Sequence, residues 1–290
     1  MNFVERLQAR IEENQSHLVV GLDPHWSLLP KDIREQPDPD QQAHLLEAFL
    51  TGIVEATWSH CAAFKPQIAF FEQLGAIGFR VLDALIQRMR RMDAIIIMDA
   101  KRNDIGSTAD AYAQTFFGKP NQPACLQSDA LTVNGYLGWD GIRPFVQFDI
   151  HGLFVLVKTS NPSSGDFQDL ELADGRLLCE AVADQVNTWN EATRIGSGYG
   201  RIGAVVGATY PEHMTRLRKR MPHSFLLVPG YGAQGGDLAA IRAAFNADGT
   251  GALINASRSI CFPTDWERKG FKAVAESARL AQQEIQSLRR

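Results

Sequence analysis

Asp99, Lys101 and Asp104 stand in the run Met98-Asp99-Ala100-Lys101-Arg102-Asn103-Asp104-Ile105-Gly106-Ser107-Thr108, directly after the apolar stretch Ala94–Met98. On an extended strand end Asp99 and Lys101 share one face, because side chains alternate. Asp104 follows in the loop. Two carboxylates and an ammonium crowded together perturb one another's proton affinities. The same spacing also fits a salt-bridge cluster at a helix start, with Ser107 as N-cap.

A second group has the chemistry of anion binding. Pro229-Gly230-Tyr231-Gly232-Ala233-Gln234-Gly235-Gly236 leaves an apolar run and enters a helical segment with Asp237 at its start. Glycines let backbone N–H groups approach an anion closely, and a helix N-terminus favours negative charge. Arg258 can grip a phosphate with two parallel donors. A plain helix-entry turn beside a surface arginine is the alternative reading.

These residues need elements to position them. Short apolar runs recur at His17–Leu22, Ala62–Ile68, Ala94–Met98, Asp129–Val133, Leu153–Lys158, Ile202–Gly207, Ser224–Val228 and Gly251–Ile254. Such runs fit strands buried on both faces. Amphipathic segments separate most of them, at Gln41–His60, Glu72–Met92, Ser107–Phe117, Leu170–Thr193, Pro211–Met221 and Asp237–Phe245, with Trp266–Arg290 last. The connection Asn134–His151 is the least regular. The alternation predicts an α/β fold, a closed (β/α)8 TIM barrel in a single domain spanning 1–290; a doubly wound open sheet is the other arrangement it allows. Asp23, Lys65, Asp99, Lys101, Thr159, Ser160, Gln234 and Arg258 all fall at or just past strand ends. A barrel gathers those ends on one face, where such folds carry their chemistry.

Composition narrows the partners. A net charge of -4 gives no global attraction to nucleic acid or an anionic membrane, so an anionic ligand must be held by local positive charge. Cys61, Cys125, Cys179 and Cys261 are far apart and read as reduced thiols rather than metal ligands or disulfides. The histidines show no metal-ligand spacing and read as surface or capping residues. The run Arg216-Leu217-Arg218-Lys219-Arg220 reads as the solvated face of an outer helix. Phe70-Phe71 and Phe116-Phe117 read as core aromatics. The N-terminal MNFVERLQARIEEN is an amphipathic helix without the apolar core of a signal peptide. No apolar run approaches the ~20 residues that span a bilayer. Cytoplasm is the expected compartment.

The D-x-K-x-x-D-I-x-x-T pattern after an apolar strand resembles the signature of the orotidine 5′-phosphate decarboxylases, and D-A-K-R-x-D-I-G-S-T resembles their longer bacterial (type 2) subclass. Further stretches match in order: V-G-L-D-P at Val20–Pro24, F-K-P at Phe64–Pro66, T-V-N-G-Y-L-G at Thr132–Gly138 and V-K-T-S-N-P at Val157–Pro162. V-G-A-T-Y-P at Val206–Pro211, P-G-Y-G-A-Q-G-G at Pro229–Gly236 and N-A-S-R at Asn255–Arg258 complete the series. Asn103 departs from the subclass, which usually has Gly there, a substitution that suggests a left-handed backbone that Asn tolerates.

The resemblance implies decarboxylation of orotidine 5′-phosphate to UMP without cofactor or metal. Lys101 would protonate C6, Asp99 would sit against the substrate carboxylate and orient Lys101, and Lys65 would link Asp99 to the ribose. Asp104, with Ile105 and Thr108, would reach into the neighbouring subunit's site of a homodimer. The implied substrate contacts are Asp23, Thr108, Ser160 (to the pyrimidine), and Gln234, Gly235 and Arg258 (to the phosphate). Two other readings compete. One is a metal-dependent relative on the same barrel, such as a keto-gulonate-phosphate decarboxylase or hexulose-phosphate synthase, which would need extra carboxylate ligands. The other is a non-catalytic nucleotide-binding barrel, which would be expected to lack at least one of Lys65, Asp99, Lys101 and Asp104.

Overall fold

Eight parallel strands form one sheet in the order β2-β1-β8-β7-β6-β5-β4-β3. They are β1 Leu18–Leu22, β2 Ala63–Pro66, β3 Ile97–Arg102, β4 Ala130–Val133, β5 Gly152–Lys158, β6 Ile202–Val206, β7 Leu226–Val228 and β8 Ala252–Ala256. The isolated bridges Phe64–Ile96 and Gln67–Asp99 join β2 to β3 and close the sheet into a TIM barrel. The computed structural model describes residues 1–118, 122–194, 198–232 and 237–289. β1, β4, β6 and β8 are buried along their whole length, as expected of strands with helices outside and packed side chains inside. No helix among the described residues is long and apolar enough to cross a membrane.

The helices follow the amphipathic segments, with informative exceptions. α1 is Phe3–Asn14, α2 Pro39–Thr57 and α3 Gly75–Arg91. α2 starts where Asp38 accepts from Asp40 N–H at 2.9 Å with Pro39 next, a good helix opening. α3 buries Val81, Leu82, Leu85, Ile86 and Met89, one stripe at helical spacing. α4 is Gly106–Phe117, and α5, Trp139–Val146, lies in the irregular connection with Pro144 inside it. The helix expected over Leu170–Thr193 starts only at Leu178: Glu171 instead pairs antiparallel with Leu177 around a tight turn, and α6 is Leu178–Glu191. α7 is Pro211–Arg220 and α8 Leu238–Ala244. The C-terminal segment breaks at Gly270, whose φ of 56° no helix continues, leaving Trp266–Lys269 and α9 Phe271–Leu288.

α1 does more than its amphipathic pattern announced. Phe3, Val4, Leu7 and Ile11 pack with Val19, Ile97, Phe154, Leu227 and Leu253, the apolar filling of the barrel, and stopper its N-terminal end. Gly152 permits this, since a Cβ there would lie 2.2 Å from the Phe3 ring. With the lower end sealed, the upper rim is left for a site.

Candidate active site

A cavity of about 500 Å³ opens at the C-terminal rim, and every strand or the loop that follows it contributes to the wall. Asp23, Lys65, Asp99, Lys101, Thr159, Ser160 and Arg258 line it, over a floor of Leu156, Val205 and Leu227. A polar wall over an apolar floor suits a ligand with one charged and one flat apolar part.

Asp99 is the hub. Its Oδ2 accepts from Lys65 Nζ at 2.7 Å and Gln67 Nε2 at 3.0 Å; its Oδ1 accepts from Lys101 Nζ at 2.6 Å and Thr132 Oγ1 at 2.9 Å. Burial opposes the charge on Asp99, yet the Lys65 and Lys101 ammonium groups outweigh it and hold the carboxyl well below the usual carboxylate range. Burial likewise opposes the charge on Lys65, and Asp99 followed by Asp23 overcomes it and raises that lysine. Asp23 Oδ1 is buried without a protein partner, and so is Asn255 Oδ1. Buried acceptors of this kind at a cavity wall are suited to hydroxyl donors from a ligand.

Lys101 reaches Asp99 by a route that alternation did not foresee. The pairing of β3 with β4 shifts register between Met98 and Arg102, and Lys101 has φ 48°. Thr132 Oγ1 holds this bulge by accepting the N–H groups of both Ala100 and Lys101 at 3.1 Å. A lysine in the left-handed region costs roughly 1–2 kcal/mol. Strain of this kind concentrates where a side chain must be aimed. The left-handed residue expected at Asn103 is therefore at Lys101; Asn103 has no positive φ.

Asp104 does not line this cavity. Its carboxylate accepts the Ile105 N–H at 2.8 Å, and among the described residues Lys101 pairs with Asp99 alone. Thr108 is exposed on the first turn of α4, outside the wall, and Ile105 caps α4 without a side-chain bond, so Ser107 is no N-cap. Arg258 is exposed on the rim and has no ion-pair partner among the described residues. Gln234 and Gly235 lie outside the described residues. The α8 N-terminus is partly taken by its own cap, since Asp237 accepts the Ala239 N–H at 2.7 Å.

Sequence reasoning passed over several residues. Thr132 sits inside a motif it quoted and Gln67 inside the Ala62–Ile68 strand run, yet neither was given a role, and His25 and Tyr231 also face the cavity. His17, read as a surface or capping residue, is buried, with Nδ1 2.8 Å from the Ala252 carbonyl. Arg218, read as part of a solvated run, is buried too and donates to the Ser224 carbonyl at 2.8 Å and the Gly251 carbonyl at 3.0 Å. Neither is near the cavity wall.

The family model for the orotidine 5′-phosphate decarboxylase / HUMPS family matches residues 16–268. An orotidine 5′-phosphate decarboxylase of Rhodopirellula baltica is 45% identical over 286 residues, covering 96% of this chain and 93% of the relative. One from Halobacterium salinarum is 40% identical, covering 98% of each chain. The solved structure of Leishmania donovani OMP decarboxylase superposes with a TM-score of 0.81 at 34% identity, over 100% of this chain and 99% of that one.

Proposed function

The chain belongs to the orotidine 5′-phosphate decarboxylase family and is a carboxy-lyase acting on that nucleotide; from this premise we propose how its residues divide the work. The observation that carries the reading is the Lys65–Asp99–Lys101 array, two ammonium groups on one carboxylate at 2.7 and 2.6 Å at the cavity mouth. The substrate carboxylate is set against Asp99. The C6–carboxylate bond breaks, CO2 leaves, and its electron pair stays on C6. Lys101 Nζ then gives C6 a proton, and the resulting amine is reprotonated from solvent.

Magnitudes say which effect matters. Two carboxylates ~4 Å apart at an effective dielectric of ~20 repel by roughly 4 kcal/mol. Enzymes of all classes lower barriers by about 8–23 kcal/mol. Repulsion from Asp99 is therefore the smaller part, and the preplaced Lys101 ammonium opposite the developing carbanion is the larger. No electron sink such as thiamine or pyridoxal is invoked. The four acceptor positions of Asp99 already face four protein donors, which leaves a divalent ion no lone pair there. The chelated protein is expected to turn over normally.

The remaining contacts follow the same reading. Lys65 and Asp23 serve the ribose hydroxyls, Ser160 the pyrimidine, and Arg258 with Gln234 and Gly235 the phosphate. Asp104 and Thr108 act in the neighbouring site of a homodimer, in a cytoplasmic enzyme of the family's longer subclass. Support for sharing comes from the apolar surface around the 103–108 loop, where Ile105 is 54% and Tyr136 86% exposed beside Leu137 and Trp139. Large apolar patches of this kind mark association surfaces.

Conversion of orotidine 5′-phosphate to UMP by the wild type tests the assignment. Mixing Lys101→Ala with Asp104→Ala subunits tests the sharing: each is expected to be inactive alone, and the heterodimer to recover one working site. Silent heterodimers, with exchange of subunits verified, would place Asp104 in its own chain's site.

A further inference from the structure

The cavity edge formed by Thr159, Ser160 and Asn161 is gripped from behind by a charge that is not on the cavity wall. Lys158, the last residue of β5, is 2% exposed. The pairing of β5 with β6 shifts register between Leu156 and Lys158, so Leu156 forms part of the floor while Lys158 is directed elsewhere. Its ammonium meets both Asp169 oxygens at 2.7 and 2.8 Å and Ser164 Oγ at 3.1 Å.

Between Lys158 and Asp169 the chain makes the excursion 159–168. Its two ends are stapled a second time: Gln168 Oε1 accepts the Thr159 N–H at 2.9 Å, and Gln168 Nε2 donates to Thr159 Oγ1 at 2.9 Å. A buried ammonium with a bidentate carboxylate fixes the ends of a loop more tightly than neutral hydrogen bonds do. Asp169, Cys179 and His213 place ligand atoms within 4.8 Å of one another, a donor set suited to a soft cation. The Lys158 ammonium already takes both carboxylate oxygens, so the cation balancing Asp169 is the lysine itself.

We infer that Lys158 and Asp169 are positioning residues for the decarboxylation: their ion pair sets the 159–168 excursion so that Ser160 is presented to the pyrimidine. This rests on the reading of Ser160 given above. Neither residue touches substrate, and both act through the residue they place.

The test is a double-mutant cycle in the full-length enzyme, with orotidine 5′-phosphate as substrate. Lys158→Met is expected to lower kcat/KM about thirtyfold, chiefly through KM, and to weaken UMP binding in parallel. Combined with Ser160→Ala it should add less than about threefold to the larger single loss, because two substitutions that act through one shared group are not additive. Should Lys158→Met not fold, Asp169→Asn, nearly isosteric and neutral, takes its place in the same cycle. Losses that multiply, or a single variant within about threefold of wild type, would overturn the proposal while leaving the decarboxylase assignment standing. A wild type that yields no UMP would remove the assignment and the proposal with it.

Discussion

At the lower end of the barrel, buried and half-buried donors point at the main chain. Arg218 reaches the carbonyls of Ser224 and Gly251, Arg201 those of His151 and Phe148, His17 that of Ala252, and Asn190 that of His223. At the upper rim, Lys65, Gln67, Lys101 and Thr132 instead converge on one side chain, Asp99. The lower set ties strand starts and the turns before them, so its energy goes into holding the backbone. The upper set ties side chains to each other, at the end where Asp23 and Asn255 keep unsatisfied acceptors toward the cavity. Two ends built of similar residue types should therefore fail differently when one residue is removed: the lower in stability, the upper in rate.

The largest expected effect is at the upper end. Lys101→Ala should lower kcat by about ten-thousandfold or more, since it removes both a proton donor and the charge facing the carbanion. The melting temperature should stay within a few degrees of wild type. Lys101→Gly should be equally inactive but more stable than the alanine variant by about 1 kcal/mol, because only glycine holds φ 48° without strain. A Lys101→Ala enzyme keeping a tenth of wild-type kcat has lost only about 1.4 kcal/mol of barrier reduction, too little for a proton donor.

Next comes Arg258. Arg258→Ala should reduce kcat/KM for orotidine 5′-phosphate by roughly 2–5 kcal/mol and hardly alter turnover of the phosphate-free nucleoside. Equal losses on both substrates would move Arg258 from the rate-determining end of the comparison to the structural one.

At the lower end Arg218→Met should do the opposite. It strips donors from buried carbonyls, each worth about 1–3 kcal/mol, so urea unfolding should show a loss of roughly 2–4 kcal/mol while kcat is unchanged. A fall in kcat with stability intact would break the division between the two ends.

The smallest effect is a pH dependence. Burial, against the Ala252 hydrogen bond, pushes His17 down to about 4 from 6.5, and burial does the same to His151. The unfolded chain thus binds protons that the folded one refuses, so stability falls as pH drops from 6.5 toward 4. For His17 the part of this window between pH 7 and pH 5 amounts to about 2 kcal/mol. Denaturation midpoints at pH 7 and pH 5 should lie closer together in His17→Asn than in wild type. An unchanged gap would show that the acid sensitivity arises elsewhere.

The barrel was legible because its strands are short runs of Val, Ile, Leu and Ala between polar breaks, a pattern imposed by burial on both faces. The gathering of Lys65, Asp99 and Lys101 on one rim was legible from their places at strand ends, whereas the pairing of Lys65 with Asp99 was implied only by the family resemblance. What escaped is what depends on one-residue shifts or on length. The bulge that aims Lys101 is a register change within the β3–β4 ladder, invisible to a period of two. Gln67 and Thr132 are ordinary polar residues at strand ends, and only the fold brings them to Asp99. Arg218 resembled its exposed neighbours because a helix can turn one member of a basic run inward. The N-terminal helix revealed one apolar face but not that the face would fill a cylinder. For the 170–177 segment, helical spacing was present, but the turn around Asp174 and Gly175 prevailed.

The junction between β2 and β3 carries one more implication. Along the other strand pairs the backbone supplies a ladder, whereas here it supplies the bridges Phe64–Ile96 and Gln67–Asp99. The side chains of Lys65 and Gln67 reach across from one side and Asp99 receives them on the other. The carboxylate at the centre of the chemistry is thus also the clasp of the cylinder. A negatively charged group brought against Asp99 loads the circumference as well as the scissile bond. The amides of residues 63–66 and 96–99 are where occupancy would be read, as a change in the rate at which the seam opens to solvent deuterium.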